Sequence, residues 1–180
     1  DNRLTMAYPD VRRQIARSFA RIVRQEGWTA DLVVGTATAG IPHAAWLAEL
    51  LDAPMAYVRG RAKGHGRENK VEGIVREGDH VIVIEDLIST GGSVLDAVKT
   101  VRETGAVVDS VLAIFSYGLD ASARAFLEEG LTPTTLTSFD TLVDTARHRN
   151  VLSPGAAETL LEWRRDPEAW SKAVEHRSEE

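Results

Sequence analysis

Two adjacent carboxylates, Glu85 and Asp86, stand at the end of an apolar β-branched run, Val81 to Ile84. Leu87 and Ile88 follow, and then a turn rich in hydroxyls and glycine, Ser89-Thr90-Gly91-Gly92-Ser93. Such a continuous apolar run reads as a buried parallel strand. Open α/β sheets take their ligands just outside the carboxyl ends of these strands. The turn can aim main-chain N–H groups and three hydroxyls at an anion, and a helix beginning near Val94 would add the partial charge of its N-terminus. Acids suit sugar hydroxyls and the turn suits phosphate. Together they describe a site for a phosphorylated sugar. No lysine follows the glycines, which excludes the NTPase P-loop.

Two further segments could serve the same chemistry. Leu32 to Gly35, a short apolar strand, runs into Thr36-Ala37-Thr38-Ala39-Gly40-Ile41-Pro42. Small residues there would let main-chain N–H groups approach an anion ahead of a helix that Pro42 can help start. Taken alone, a plain strand–helix turn fits this stretch as well as a phosphate loop does. Between Arg59 and Lys70 lie Arg59, Arg61, Lys63, Arg67 and Lys70 against Glu68 alone, five cations to one acid, with His65 among them. Gly60, Gly64, Gly66 and Gly73 make this segment unsuited to a stable element and free to move. It could draw in a polyanion although the whole chain carries net charge −6.

The elements that must position these residues alternate along the chain. Tyr8 to Glu26 reads as an amphipathic helix ended by Gly27, and Pro42 to Leu51 reads as a second helix. Met55 to Val58 is a strand leading into the basic segment. Strands at Val107 to Ser116 and near Thr134 to Thr137 alternate with helices at Val94 to Thr104, Ala121 to Glu129, Asp140 to Arg149 and Pro154 to Arg164. This alternation implies βαβ units and a mainly parallel sheet covered by helices on both faces. Residues 1–180 read as one domain, with no repeat and no convincing linker.

Composition narrows the function classes. No apolar run approaches the ~18 residues that span a bilayer. The chain has no cysteine, which removes disulfides, a thiolate nucleophile and a cysteine-based zinc site, and fits a cytoplasmic protein. Acidic net charge argues against general nucleic-acid binding. His43, His80, His148 and His176 lack metal-ligand spacing and are expected at the surface or in caps, while the four tryptophans are expected in packing.

The thirteen residues Val81 to Ser93 resemble the phosphoribosyl diphosphate (PRPP) motif of the type I phosphoribosyltransferases at every position. Lys63-Gly64-His65-Gly66 resembles the catalytic loop of the orotate phosphoribosyltransferases. Gly35 to Trp46 and Glu85 to Ser93 look like a bacterial branch of that family.

The resemblance implies an α/β type I phosphoribosyltransferase fold, a central mainly parallel sheet flanked by helices with a flexible catalytic loop. It implies PRPP and orotate as substrates, Mg²⁺ bound through substrate and water, and a homodimer. Arg59 would reach PRPP in the neighbouring site, and Lys63 and His65 would fold over the pyrophosphate. Thr38, Ala39 and Gly40 would form the pyrophosphate loop. Glu85 and Asp86 would engage the ribose hydroxyls, with Lys63, His65 and Asp86 as the catalytic set. Leu87, Ile88, Ser89, Thr90, Gly91, Gly92 and Ser93 would complete the PRPP site, Ser89 lying near the base.

The chain departs from the family pattern at Gly60 and Ala39, where many relatives are basic. Ser116-Tyr117-Gly118-Leu119 lacks the arginine that some relatives use for orotate, and Arg124 lies too far along to assign. The family's amino-terminal segment over the base is expected to be missing before Asp1. Transfer to a purine or to uracil, and a non-catalytic PRPP-sensing regulator, are the alternatives.

Overall fold

The computed structural model describes residues 1–60, 70–167 and 169–171. After a 3₁₀ turn at Asn2–Ala7, helix α1 spans Pro9–Glu26. Proline at its start costs no hydrogen bond, and Gly27 closes it in the left-handed conformation (φ 65°), its N–H reaching Val23 O. The strands are β1 (Leu32–Thr36), β2 (Met55–Val58), β3 (Val71–Glu72), β4 (His80–Ile88), β5 (Val107–Ser116) and β6 (Thr134–Ser138). Between and after them come α2 (Gly40–Leu51), α3 (Gly92–Arg102), α4 (Asp120–Glu128), α5 (Phe139–His148) and α6 (Pro154–Arg165).

Six strands form one sheet in the order β3-β2-β1-β4-β5-β6. All pairs are parallel except the short β2–β3 pair at the edge. Strand β4 is central, and alternate side chains feed two cores. Val81 and Val83 pack with Val94, Leu95 and Val98 of α3. Ile82 and Ile84 pack with Phe19 of α1 and Leu47 of α2. A third cluster, around Phe115, Phe139, Val143 and Ala157, ties β5 to α5 and α6. No described helix is long and apolar enough to cross a membrane.

Most expected boundaries agree with the structure to within about two residues. Three features differ. Strand β4 runs on through both acids to Ile88, because β5 continues to pair with it, from Glu85↔Ala113 to Ile88↔Ser116. Strand β3, two residues long, and the opening 3₁₀ turn carry too little periodicity to be read from sequence.

Candidate active site

The carboxyl ends of β1, β2 and β4 gather on one edge of the sheet. At β1 the chain turns sharply into α2, and the Ala37–Thr38 peptide is cis. Gly40 is required there: a Cβ on it would lie 2.5 Å from Ile84 O and 2.7 Å from Thr36 Oγ1. The Thr36 hydroxyl donates to Ile84 O at 3.1 Å, so the Thr38–Gly40 turn is held directly against β4. Ala37 N–H also donates to Val58 O at 3.0 Å, tying the same turn to β2.

Glu85 and Asp86 leave opposite faces of β4 by strand alternation, as their positions after Ile84 require. Their carboxyl groups nevertheless meet. Glu85 folds back so that Oε1 accepts the Asp86 N–H at 2.9 Å, and the two side chains hydrogen-bond each other. Glu85 is buried, and that desolvation, then the hydrogen bond with Asp86, pushes its carboxyl from 4.5 up to about 7. The Thr36 hydroxyl and the Asp86 N–H oppose the rise without cancelling it. Burial thus keeps the Glu85 carboxyl protonated to a higher pH than an exposed glutamate.

His43, expected at the surface or in a cap, is instead fully buried on α2. Burial lowers its pKa, and the nearby Asp86 charge only partly restores it. Its Nδ1 has no hydrogen-bond partner among the described residues. It meets the Trp46 ring edge-on at 5.2 Å, the shared face expected from their spacing, and Arg12 stacks over that tryptophan at 5.2 Å.

Leu87 and Ile88 turn their side chains into the cores, so any contact they make with a ligand runs through the main chain. Beyond them, Gly91 takes φ 87° and precedes α3, with Leu95 N–H bonding to its carbonyl. A Cβ on Gly91 would lie 3.0 Å from the Phe126 ring. The left-handed glycine starts the helix, whose first N–H groups have no intrahelical partners.

Two cavities flank this turn. One, of about 420 Å³, is bordered by Thr36, Ala37, Arg59, Lys70, Ser93 and Lys99 among others. Arg59 pairs there with Glu72 of β3 at 3.2 Å, and its N–H donates to Lys70 O. The other, of about 750 Å³, is bordered by Ser89, Thr90, Tyr117, Arg124, Trp163 and Arg165 among others. Lys63 and His65 lie outside the described residues. Sequence reasoning missed Trp163 and Arg165 as neighbours of the turn, and had left Arg124 unassigned; nothing in their spacing signals the convergence.

A family model described as a phosphoribosyl transferase domain matches residues 7–125. The orotate phosphoribosyltransferase of Listeria monocytogenes serotype 4b is 50% identical over 172 residues, 96% of this chain and 82% of that protein. The orotate phosphoribosyltransferase of Bacillus caldolyticus is 51% identical over 94% of this chain and 82% of its own length. Among solved structures, the orotate phosphoribosyltransferase of Aeropyrum pernix superposes with a TM-score of 0.74 at 27% identity, covering 81% of each chain.

Proposed function

This chain belongs to the orotate phosphoribosyltransferases of the phosphoribosyl transferase domain family, and on that premise we propose that it makes orotidine 5′-monophosphate and pyrophosphate from orotate and PRPP. The observation that carries the reading is the β4–turn–α3 junction, where a carboxyl pair and a glycine turn share one edge with the Thr38–Gly40 turn. The product is a precursor of UMP. A cysteine-free chain suits work in the cytoplasm.

In the reaction the ring nitrogen of orotate forms a bond to the anomeric carbon while the bond to pyrophosphate breaks. The leaving group departs with the electron pair, so positive charge builds on the ribose. The Glu85 and Asp86 carboxyl groups meet on β4 and offer oxygen partners to the vicinal ribose hydroxyls. Their negative charge faces the developing ribosyl cation. Ser89 to Ser93 hold the 5-phosphate with hydroxyls and the N-terminal N–H groups of α3, with Ser89 also near the base. Thr38 to Gly40 offer main-chain N–H groups to the pyrophosphate. Lys63 and His65 supply a cation and a hydrogen-bonding imidazole to stabilise it as it leaves.

No group of three or more metal-ligating side chains occurs among the described residues. Mg²⁺ would be held through substrate oxygens and water rather than by direct protein ligands, with Glu85 and Asp86 facing the ribose beside it. When bound, such an ion would supply charge neutralisation for the departing pyrophosphate.

The test is the fall in orotate absorbance on adding PRPP with Mg²⁺. Loss that depends on PRPP supports the reading; no loss, with PRPP still bound, rejects orotate as the acceptor. The second-site role of Arg59 implies a dimer. Mixing Arg59→Gln with Asp86→Asn, each impaired alone, should restore turnover by rebuilding one complete site per hybrid dimer. Strict additivity of the two defects would rule that role out.

A further inference from the structure

We propose that Asn2, in the 3₁₀ turn that opens the chain, is a positioning residue for Asp86. This rests on the reading that the β4 acids face the ribose of PRPP. Strand β1 pairs with β4 only from Val81 to Ile84, so past that point β4 keeps a strand neighbour, β5, on one side alone. Both acids stand in the stretch that β1 has left. Asn2 Nδ2 donates to Asp86 O at 2.8 Å, from 84 residues away in the chain. The Asp86 N–H is taken by Glu85 Oε1 at 2.9 Å. The main chain of Asp86 is therefore held at both its polar groups, and its placement governs how the two carboxyl groups meet.

The turn is built to hold the Asn2 amide steady. Asp1 Oδ1 accepts the Arg3 N–H at 3.0 Å, the Thr5 hydroxyl donates to Asn2 O, and the Tyr8 N–H reaches Thr5 O at 3.1 Å. No residue of the turn is fully buried, so polar contacts rather than apolar packing fix its place. Its far end is anchored separately. Arg12 Nη1 donates to Met6 O at 3.1 Å while its guanidinium lies over Trp46, and Trp46 meets His43 edge-on. His43 in turn lies close enough to Asp86 to feel its charge. These contacts close a ring through the opening turn, β4, α2 and α1, and Asp86 is the member of it that works on substrate. A carboxylate that must face a developing cation acts best when its support is fixed beforehand.

Kinetics of Asn2→Ala at saturating orotate and varied PRPP, alone and in an Asp86→Asn background, test the assignment. Asn2→Ala is expected to lower kcat about tenfold, the worth of one hydrogen bond, and to change KM for PRPP by less than about threefold. In Asp86→Asn the same change should cost less than about twofold, because no carboxylate is left to place. Asn2→Gln, which keeps the amide on a longer arm, should recover part of the loss. Asn2→Asp, which keeps the shape without the donor, should recover none. If Asn2→Ala fails to fold, Asn2→Asp is read in its place. An equal loss in both backgrounds, or an unchanged kcat with only a lower Tm, marks a bond that serves stability alone and overturns the proposal. A wild-type protein that releases no pyrophosphate from PRPP with orotate fails the earlier reading of the site, and the positioning role goes with it.

Discussion

The cavity bordered by Ser93 and the cavity bordered by Ser89 are built from different materials. On the Ser93 side, two of the lining cations already have partners: Arg59 pairs with Glu72 at 3.2 Å, and Lys99 with Glu129 at 2.9 Å. On the Ser89 side the arginines are without ion pairs among described residues and the walls are aromatic. A strongly charged ligand such as a pyrophosphate can compete for exposed, weakly held partners. A singly charged planar ligand gains more from cations that need not be released and from rings fixed in advance. The difference teaches that one turn can serve two ligands, provided the charge on each side is matched to the ligand expected there.

The largest effect should come from removing leaving-group stabilisation on the pyrophosphate side. Lys63→Ala is expected to lower kcat about 10²–10³-fold while weakening PRPP binding far less. An unchanged kcat in single-turnover measurements would remove Lys63 from the chemistry. Next in size is Gly40→Ala, which forces a methyl group into the space between Thr36 Oγ1 and Ile84 O. Overpacking of this kind costs about 1–3 kcal/mol, to be read from urea unfolding together with weakened PRPP binding.

Arg59→Gln sharpens the contrast directly. It should raise KM for PRPP about tenfold, the worth of one charged hydrogen bond, and leave KM for orotate nearly unchanged. A parallel rise in both would mean that the cavities act as one. The smallest effect is a pH dependence of stability at the boundary between them. The Glu85 carboxyl rises from 4.5 to about 7 on folding. Its contribution is therefore complete below about pH 4.5 and is lost as pH climbs through about 7. Wild type should lose several degrees of Tm relative to Glu85→Gln between about pH 5 and pH 8, by calorimetry. Parallel profiles would show that the raised Glu85 carboxyl contributes nothing to folding.

The Ser93 side was the more legible in sequence because its parts are local. A strand, two acids, a glycine turn and a helix follow one another within Val81 to Arg102, and periodicity finds each in turn. Reading β4 as ending at Ile84 took the acids for the end of pairing. They remain in the ladder because β5 extends alongside them to Ser116. His43 was misjudged because an imidazole on a helix face is usually wet, whereas this one is enclosed between Trp46 and the Asp86 end of β4. The Ser89 side could not be read in advance. Tyr117, Arg124 and Arg165 belong to three different segments, and only the packing of α6, where Arg164 Nη1 donates to Gly118 O at 3.2 Å, brings them to one cavity. No local pattern encodes a meeting of that kind.

The seat of Arg164 on Gly118 also sets an order of completion during synthesis. A chain leaving the ribosome emerges amino-terminus first, and domains fold as their parts become available. Every described wall residue of the Ser93 cavity lies at or before Glu103, whereas the Ser89 cavity waits for Trp163 to Pro167. A nascent chain therefore has every described wall of the Ser93 cavity before it has the last walls of the Ser89 cavity.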